Sequence, residues 1–261
     1  MTKNSSVSSS FLKNIAYLTM FIDHFFAIVF ITYINVNTAK GISMDDAKDV
    51  YSIGRAVGRI AFVLFAFMAA EGFQHTHSMK NYLLRLGIFA LISEIPFDLA
   101  FYGKLFYVEK QNVYFTLYLG VLALCIIKKF QGEILIQVTS VILCCMGAAV
   151  LKTDYMFMGV LLIVAFYVCR KSFWYQFIAG SAALYLGIVM VYVVRYWDRG
   201  YSIKQYLGFG KSELYGLFAF IFIYFYNGKK GKQLPKAFYY LFYPLHLLLL
   251  YGIKILLFGQ E

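Results

Sequence analysis

Asp23 and His24 sit in the middle of an almost unbroken apolar run, Phe11 to Ile34, FLKNIAYLTMFIDHFFAIVFITYI. A helix rises about 1.5 Å per residue, so Asp23 lies roughly 15–18 Å beyond Leu12, near the centre of a hydrocarbon core of about 30 Å. An ionisable side chain at that depth costs on the order of 2.5–3.5 kcal/mol on insertion scales. Such groups face a protein interior or a water-filled cavity. The pair therefore marks the heart of an intramembrane site, built for chemistry, for transport, or as part of a structural ion pair.

Other polar groups fall at matching depth in later apolar runs. Arg59 is a turn or two inside the second run, Glu94 and Asp98 are in the outer half of the third, and His246 is near the middle of the last. Glu71 closes the second run at its far end. An Arg at such depth needs a partner, and Asp23 is the natural one. Neighbouring residues on a helix point about 100° apart, so Asp23 does not orient His24 directly. Glu94 or Asp98, from the third run, is a geometric candidate to hold that imidazole.

The elements that must carry these groups are helices in a bilayer. The chain has 261 residues, 61% of them hydrophobic and 20% aromatic, more apolar surface than a soluble domain can hide. The runs are long and continuous rather than alternating, which favours helices over a β-barrel. The reading is an all-α, polytopic transmembrane bundle of about nine spans. Residues 1–10 form a flexible N-terminal tail and 11–261 a single transmembrane domain. The spans are Phe11–Ile34, Ser52–Phe73, Tyr82–Tyr102, Asn112–Ile127, Glu133–Leu151, Tyr155–Cys169, Ser172–Val194, Ser212–Tyr226 and Ala237–Phe258. Asn35–Tyr51 is a polar loop, and Pro96 kinks the third helix. The tight loops on the N-terminal side are basic at every turn, so the positive-inside rule places the N-terminus in the cytoplasm.

The formal charge of +11 reflects this orientation rather than nucleic acid binding. All four cysteines lie in apolar segments, which argues against a disulfide framework. His75 and His77 are too few ligands for a metal site. The loop NGKKGKQLPK offers glycine N–H groups and the lysines Lys229, Lys230 and Lys232 to phosphates, although ordinary positive-inside bias explains them as well. There is no P-loop, no GxSxG and no paired-cysteine metal motif.

Several strings, in order along nearly the whole chain, resemble the TraX family of membrane proteins. They are TMFIDHF, GRIAFVLFAFMAAEGFQHT, KNYLLRLGIFALISEIPFDLA, NVYFTLYLG, DYMFMGVLLIV and FYYLFYPLHLLLLY. Val63 stands where the family often has Pro, a difference that touches helix shape more than chemistry. The family is named for a conjugation protein that acetylates pilin, and it is similar to transmembrane acyltransferases that draw on cytoplasmic acyl-CoA. The resemblance implies a multi-pass cell-membrane O- or N-acyltransferase, an acetyltransferase, with acetyl-CoA as acyl donor, no metal, and a saccharide or peptide acceptor. Under it, His24 is the general base or the nucleophile. Arg59 stabilises the oxyanion or binds the acceptor, and Asp23 holds Arg59. Glu71, Glu94, Asp98, Asn112, Thr116 and His246 line the substrate cavity, and Lys229, Lys230 and Lys232 meet the phosphates of CoA. Self-association into a homo-oligomer is left open. The rival classes are a proton-coupled small-molecule transporter, with Asp23, His24 and Glu94 as its relay, and a structural subunit of an envelope assembly.

Overall fold

The structure, a computed structural model, describes residues 6–259. It is an all-α membrane bundle, with no strand among the described residues, only the isolated bridges Val7–Tyr226 and Gln111–Thr153. The first helix starts where the Ser8 hydroxyl accepts the Phe11 N–H, an N-cap before an apolar run. It is continuous from Ser9 to Ala39: α1 (Ser9–Phe25), a π-helical turn (Phe26–Phe30) and α2 (Ile31–Ala39). Next come α3 (Asp45–Gln74), α4 (Met79–Tyr102), α5 (Val113–Lys129), α6 (Ile134–Val150), α7 (Met156–Val168) and α8 (Phe173–Tyr196). Short pieces follow, a 3₁₀ turn (Trp197–Arg199), α9 (Ile203–Phe209), a 3₁₀ run (Gly210–Phe218) and α10 (Ala219–Tyr224), before α11 (Lys236–Phe258).

Three differences from the sequence expectation have physical causes. The second long helix begins at Asp45, not Ser52, because Asp45 and Asp46 in its first turn complement the positive end of the helix dipole. The stretch 212–226, expected as one span, is split between a 3₁₀ run that ends at Phe218 and the short α10, in keeping with the poor helix propensity of Gly208, Gly210 and Gly216 around it. Length and apolar composition taken together therefore do not confirm the count of nine spans. Among the described residues, four helices are long and apolar enough to cross a bilayer: Ser9–Ala39, Asp45–Gln74, Phe173–Val194 and Ala237–Phe258. Ile134–Val150 and Met156–Val168 are apolar but shorter.

Tight packing of α1 on α3 positions the site. Gly54 and Gly58 lie one turn apart on α3, and a Cβ on them would come within 2.1 Å of the Phe26 ring and of Asp23 Oδ1, respectively. Small residues at this spacing let helix backbones approach where hydrophobic driving force is weak. The core behind this contact joins Leu12, Ala16, Leu64, Phe67, Phe97 and Leu247. The N-terminal end is tied down as well. Val7 N–H donates to Phe225 O (3.1 Å), Asn227 N–H to Val7 O (2.9 Å) and Ser9 N–H to Lys229 O (2.9 Å). Residues 1–5 of the N-terminal tail lie outside the described residues.

Candidate functional site

Asp23 and His24 project from α1 just before its π-helical turn, and both are buried, at 7% and 8% exposure. A π turn shifts the helix register by one residue and recurs at functional positions. Here it begins two residues after His24.

The His24 imidazole is held by His246 of α11, not by Glu94 or Asp98. Nδ1 of His24 and Nε2 of His246 are 2.6 Å apart, with the ring planes nearly parallel at 7°. His246 Nδ1 lies 2.8 Å from the Phe242 carbonyl. A carbonyl only accepts, so His246 Nδ1 carries its proton, and in the neutral ring its Nε2 is then an acceptor. It follows that His24 donates from Nδ1 and that His24 Nε2 keeps a free lone pair. This tautomer is inferred from the hydrogen-bond network. Pro244, two residues before His246, cannot donate to the Tyr240 carbonyl, which instead accepts from the Tyr114 hydroxyl (3.4 Å).

The arginines divide differently from expectation. Asp23 Oδ2 pairs with Arg55 Nη1 at 2.9 Å, and the same nitrogen donates to the Asp23 carbonyl at 3.2 Å. Arg59, one turn further along α3, pairs with Glu213 at 3.4 Å instead of Asp23. Each deep cation thus has its own carboxylate, as burial requires. Asp23 Oδ1 is left without a hydrogen-bond partner.

His24 and Asp23 line a small cavity of about 30 Å³, together with Gly58, Phe62, Asp154 and Tyr155. Tyr155 stacks on Phe62 at 3.6 Å. The turn that delivers Asp154 is strained: Lys152 and Met156, neither of them glycine, have φ of 50° and 44°. Asp154 pairs with Lys110 at 3.1 Å. Burial pushes its carboxyl up, but Lys110 above all, with Arg59, holds it below the ordinary carboxylate value.

A second cavity of about 580 Å³ adjoins the first. Met20, Phe65, Val113 and Tyr243 line both and form the neck between them. Its walls are apolar and aromatic, and its cationic groups are Lys13 and Arg85. Lys13 sits 4.2 Å over the Tyr239 ring and donates to Gln233 (2.6 Å), while Arg85 donates to the Tyr240 hydroxyl (3.2 Å). This volume is in the usual range for a small-molecule site, about 300–1,000 Å³.

The remaining expected residues serve elsewhere. Glu94 accepts from the Asn112 backbone (3.3 Å) and side-chain amide, and Asn112 also donates to Ala90 O (2.8 Å) and caps α5 through Tyr114 N–H (3.0 Å). Asp98 accepts the Tyr107 N–H (2.7 Å), and the Thr116 and Thr153 hydroxyls are 2.9 Å apart. Glu71 bonds His75 and Tyr226. These five residues line neither cavity, and neither do Lys229, Lys230 and Lys232, whose side chains are exposed. Sequence reasoning missed Arg55, Asp154, Tyr243, Lys13 and Arg85. Asp154, Tyr243 and Arg85 lie within the strings that resemble the TraX family, Arg55 lies three residues before one of them, and Lys13 lies within the first apolar run.

Comparison with known proteins gives a family model, described as TraX protein, that matches residues 8–254. The chain is also 30% identical over 269 residues to the probable fimbrial assembly protein FimC, serogroup H1, of Dichelobacter nodosus. That alignment covers 98% of this chain and all of the relative. No solved structure matches.

Proposed function

Since the chain belongs to the TraX family, we propose that it is a multi-pass acyltransferase of the cell membrane that moves an acetyl group from acetyl-CoA to an amine or hydroxyl acceptor. The observation that carries the reading is the His24–His246 pair. It leaves one imidazole nitrogen as a free base beside a cavity that joins a larger, basic-mouthed one. The large cavity receives the donor's pantetheine arm, with Lys13 and Arg85 beside its phosphates and Lys229, Lys230 and Lys232 on the outer rim. That mouth lies at the N-terminal end of α1, the end the basic loops place in the cytoplasm.

The acceptor reaches His24 from the other side, past Asp154 and Asp23. His24 Nε2 takes its proton as the nitrogen or oxygen attacks the acyl carbon, a role worth about 10²–10⁴ in rate. The Asp23–Arg55 and Arg59–Glu213 pairs brace the chamber wall. A relative described as a fimbrial assembly protein is compatible with a peptide acceptor in the envelope.

The test uses inside-out membrane vesicles containing the full chain, supplied with radiolabelled acetyl-CoA. Label moves onto lumenal material with the wild type and not with His24→Ala at equal abundance. Undiminished labelling by His24→Ala overturns the reading.

A further inference from the structure

Tyr243 is the polar side chain at the neck. It sits on α11 one turn before His246, and its ring centroid lies 6.0 Å from that of His24, 5.6 Å from that of His246 and 5.3 Å from that of Tyr114. The residue is 3% exposed; the Val113 backbone N–H faces its hydroxyl oxygen, and its O–H has no acceptor. A buried O–H without an acceptor costs roughly 1–3 kcal/mol. Such a group persists where a ligand completes it, and Tyr243 lines both cavities. Val113, the first residue of α5, lines the same neck.

We infer that the Tyr243 hydroxyl is a catalytic residue that donates a hydrogen bond to the thioester carbonyl oxygen as that oxygen gains charge. The inference rests on the acyltransferase reading. A thioester drawn from the large cavity toward His24 must pass its carbonyl through the neck. The acceptor nitrogen or oxygen bonds to the carbonyl carbon and its proton goes to His24 Nε2. The π electron pair moves onto the carbonyl oxygen, where the Tyr243 O–H meets it. When that pair returns, the C–S bond breaks. The thiolate leaves and takes the proton back from His24, giving the acetylated acceptor and CoA thiol. Tyr243 keeps its own proton throughout. A fixed donor aimed at developing charge in a dry site is the arrangement that catalyses acyl transfer most strongly.

The experiment compares wild type and Tyr243→Phe in the same vesicles with radiolabelled acetyl-CoA. The maximal rate falls about 10²-fold, the usual consequence of removing one such donor. KM for acetyl-CoA stays within about twofold, because the interaction belongs to the transition state. The melting temperature in detergent changes little, because the deleted O–H had no acceptor in the resting site. A maximal rate within about threefold of wild type overturns the inference while leaving the acyltransferase reading intact. So does a drop in melting temperature that accounts for the lost rate, since that makes the hydroxyl structural. A wild type that neither transfers label nor is stabilised by acetyl-CoA overturns the underlying reading, and this inference with it.

Discussion

His246→Phe tests the tautomer argument most directly. Phenylalanine is close in size to the imidazole and suits the stack on Phe242, whose ring lies 5.0 Å away at 20°, so the bundle keeps its packing. What disappears is the acceptor 2.6 Å from His24 Nδ1. A buried donor left without a partner costs about 1–3 kcal/mol, and His24 escapes that cost by moving its proton to Nε2. The nitrogen facing the chamber then donates rather than accepts, and the general base is lost. Acetyl transfer in the vesicle assay should fall by about 10²–10⁴, with protein abundance and melting temperature close to wild type. His246→Gln supplies an amide oxygen to the same donor and should recover part of the rate. Histidine ¹⁵N chemical shifts give an independent readout, with His24 protonated at Nδ1 in the wild type and at Nε2 in His246→Phe. The reasoning fails if His246→Phe transfers acetyl within about threefold of wild type while His24→Ala is inert. It fails equally if wild-type His24 carries its proton on Nε2.

The other predictions concern packing, size and pH. Gly58→Ala puts a Cβ 2.1 Å from Asp23 Oδ1, so it must push α1 from α3 or break the Asp23–Arg55 pair. A destabilisation of about 1–3 kcal/mol is expected in denaturant or thermal melts, against no loss of stability for Gly252→Ala inside α11, where nothing lies within 4 Å. The small cavity, at about 30 Å³, has room for roughly two water-sized groups, so acetyl-CoA should be used in strong preference to hexanoyl-CoA. Phe65→Ala, at the neck, should narrow that preference, and competition between the two donors measures it. For Asp154, a folded carboxyl value below the unfolded 3.8 means a stabilising contribution. That contribution is complete above about pH 4 and is lost as pH falls through the folded value. Lys110→Met should flatten that acid limb in melts across pH 3–6, and an unchanged limb would discount the pair.

Much of the site was legible because a charge in an apolar run is costly wherever it occurs. That cost alone singled out Asp23, His24, Arg59 and His246, all of which are buried or half-buried, and equally Glu94 and Asp98, which line neither cavity. Their partners were not legible. GRAVGRI offers Arg55 and Arg59 one turn apart, and periodicity cannot say which meets Asp23. The register is set by Gly54 seating Phe26 and Gly58 seating Asp23; the G-x-x-x-G spacing marks a close helix contact but does not say which residues of which helix meet it. The His24–His246 pair spans 222 positions and depends on the first and last long helices lying side by side. Lys229, Lys230 and Lys232 stood out as a charge run, whereas Lys13 and Arg85 are single cations in aromatic surroundings. Only the cavity shows that the latter two share a mouth. Asp154 read as an ordinary turn residue because the left-handed backbone at Lys152 and Met156 is not signalled by glycine.

The same geometry bears on the transporter reading. A proton relay needs groups that both receive and release a proton along a route to each side of the membrane. From His24 the hydrogen-bonded chain runs to His246 and stops at the Phe242 carbonyl, which accepts but has no proton to hand on. The carboxylates that would extend a relay are engaged otherwise. In the small cavity Asp23 Oδ2 is held by Arg55 and Asp154 by Lys110, while Glu94 is held by Asn112 and lines neither cavity. A neutral histidine acceptor fixes the tautomer of His24 without adding a second charge to the bilayer interior, where a carboxylate in its place would need a cation of its own. That arrangement suits a base that takes one proton from a bound acceptor and returns it to a leaving group in the same chamber. It does not suit a wire that must empty on the opposite side.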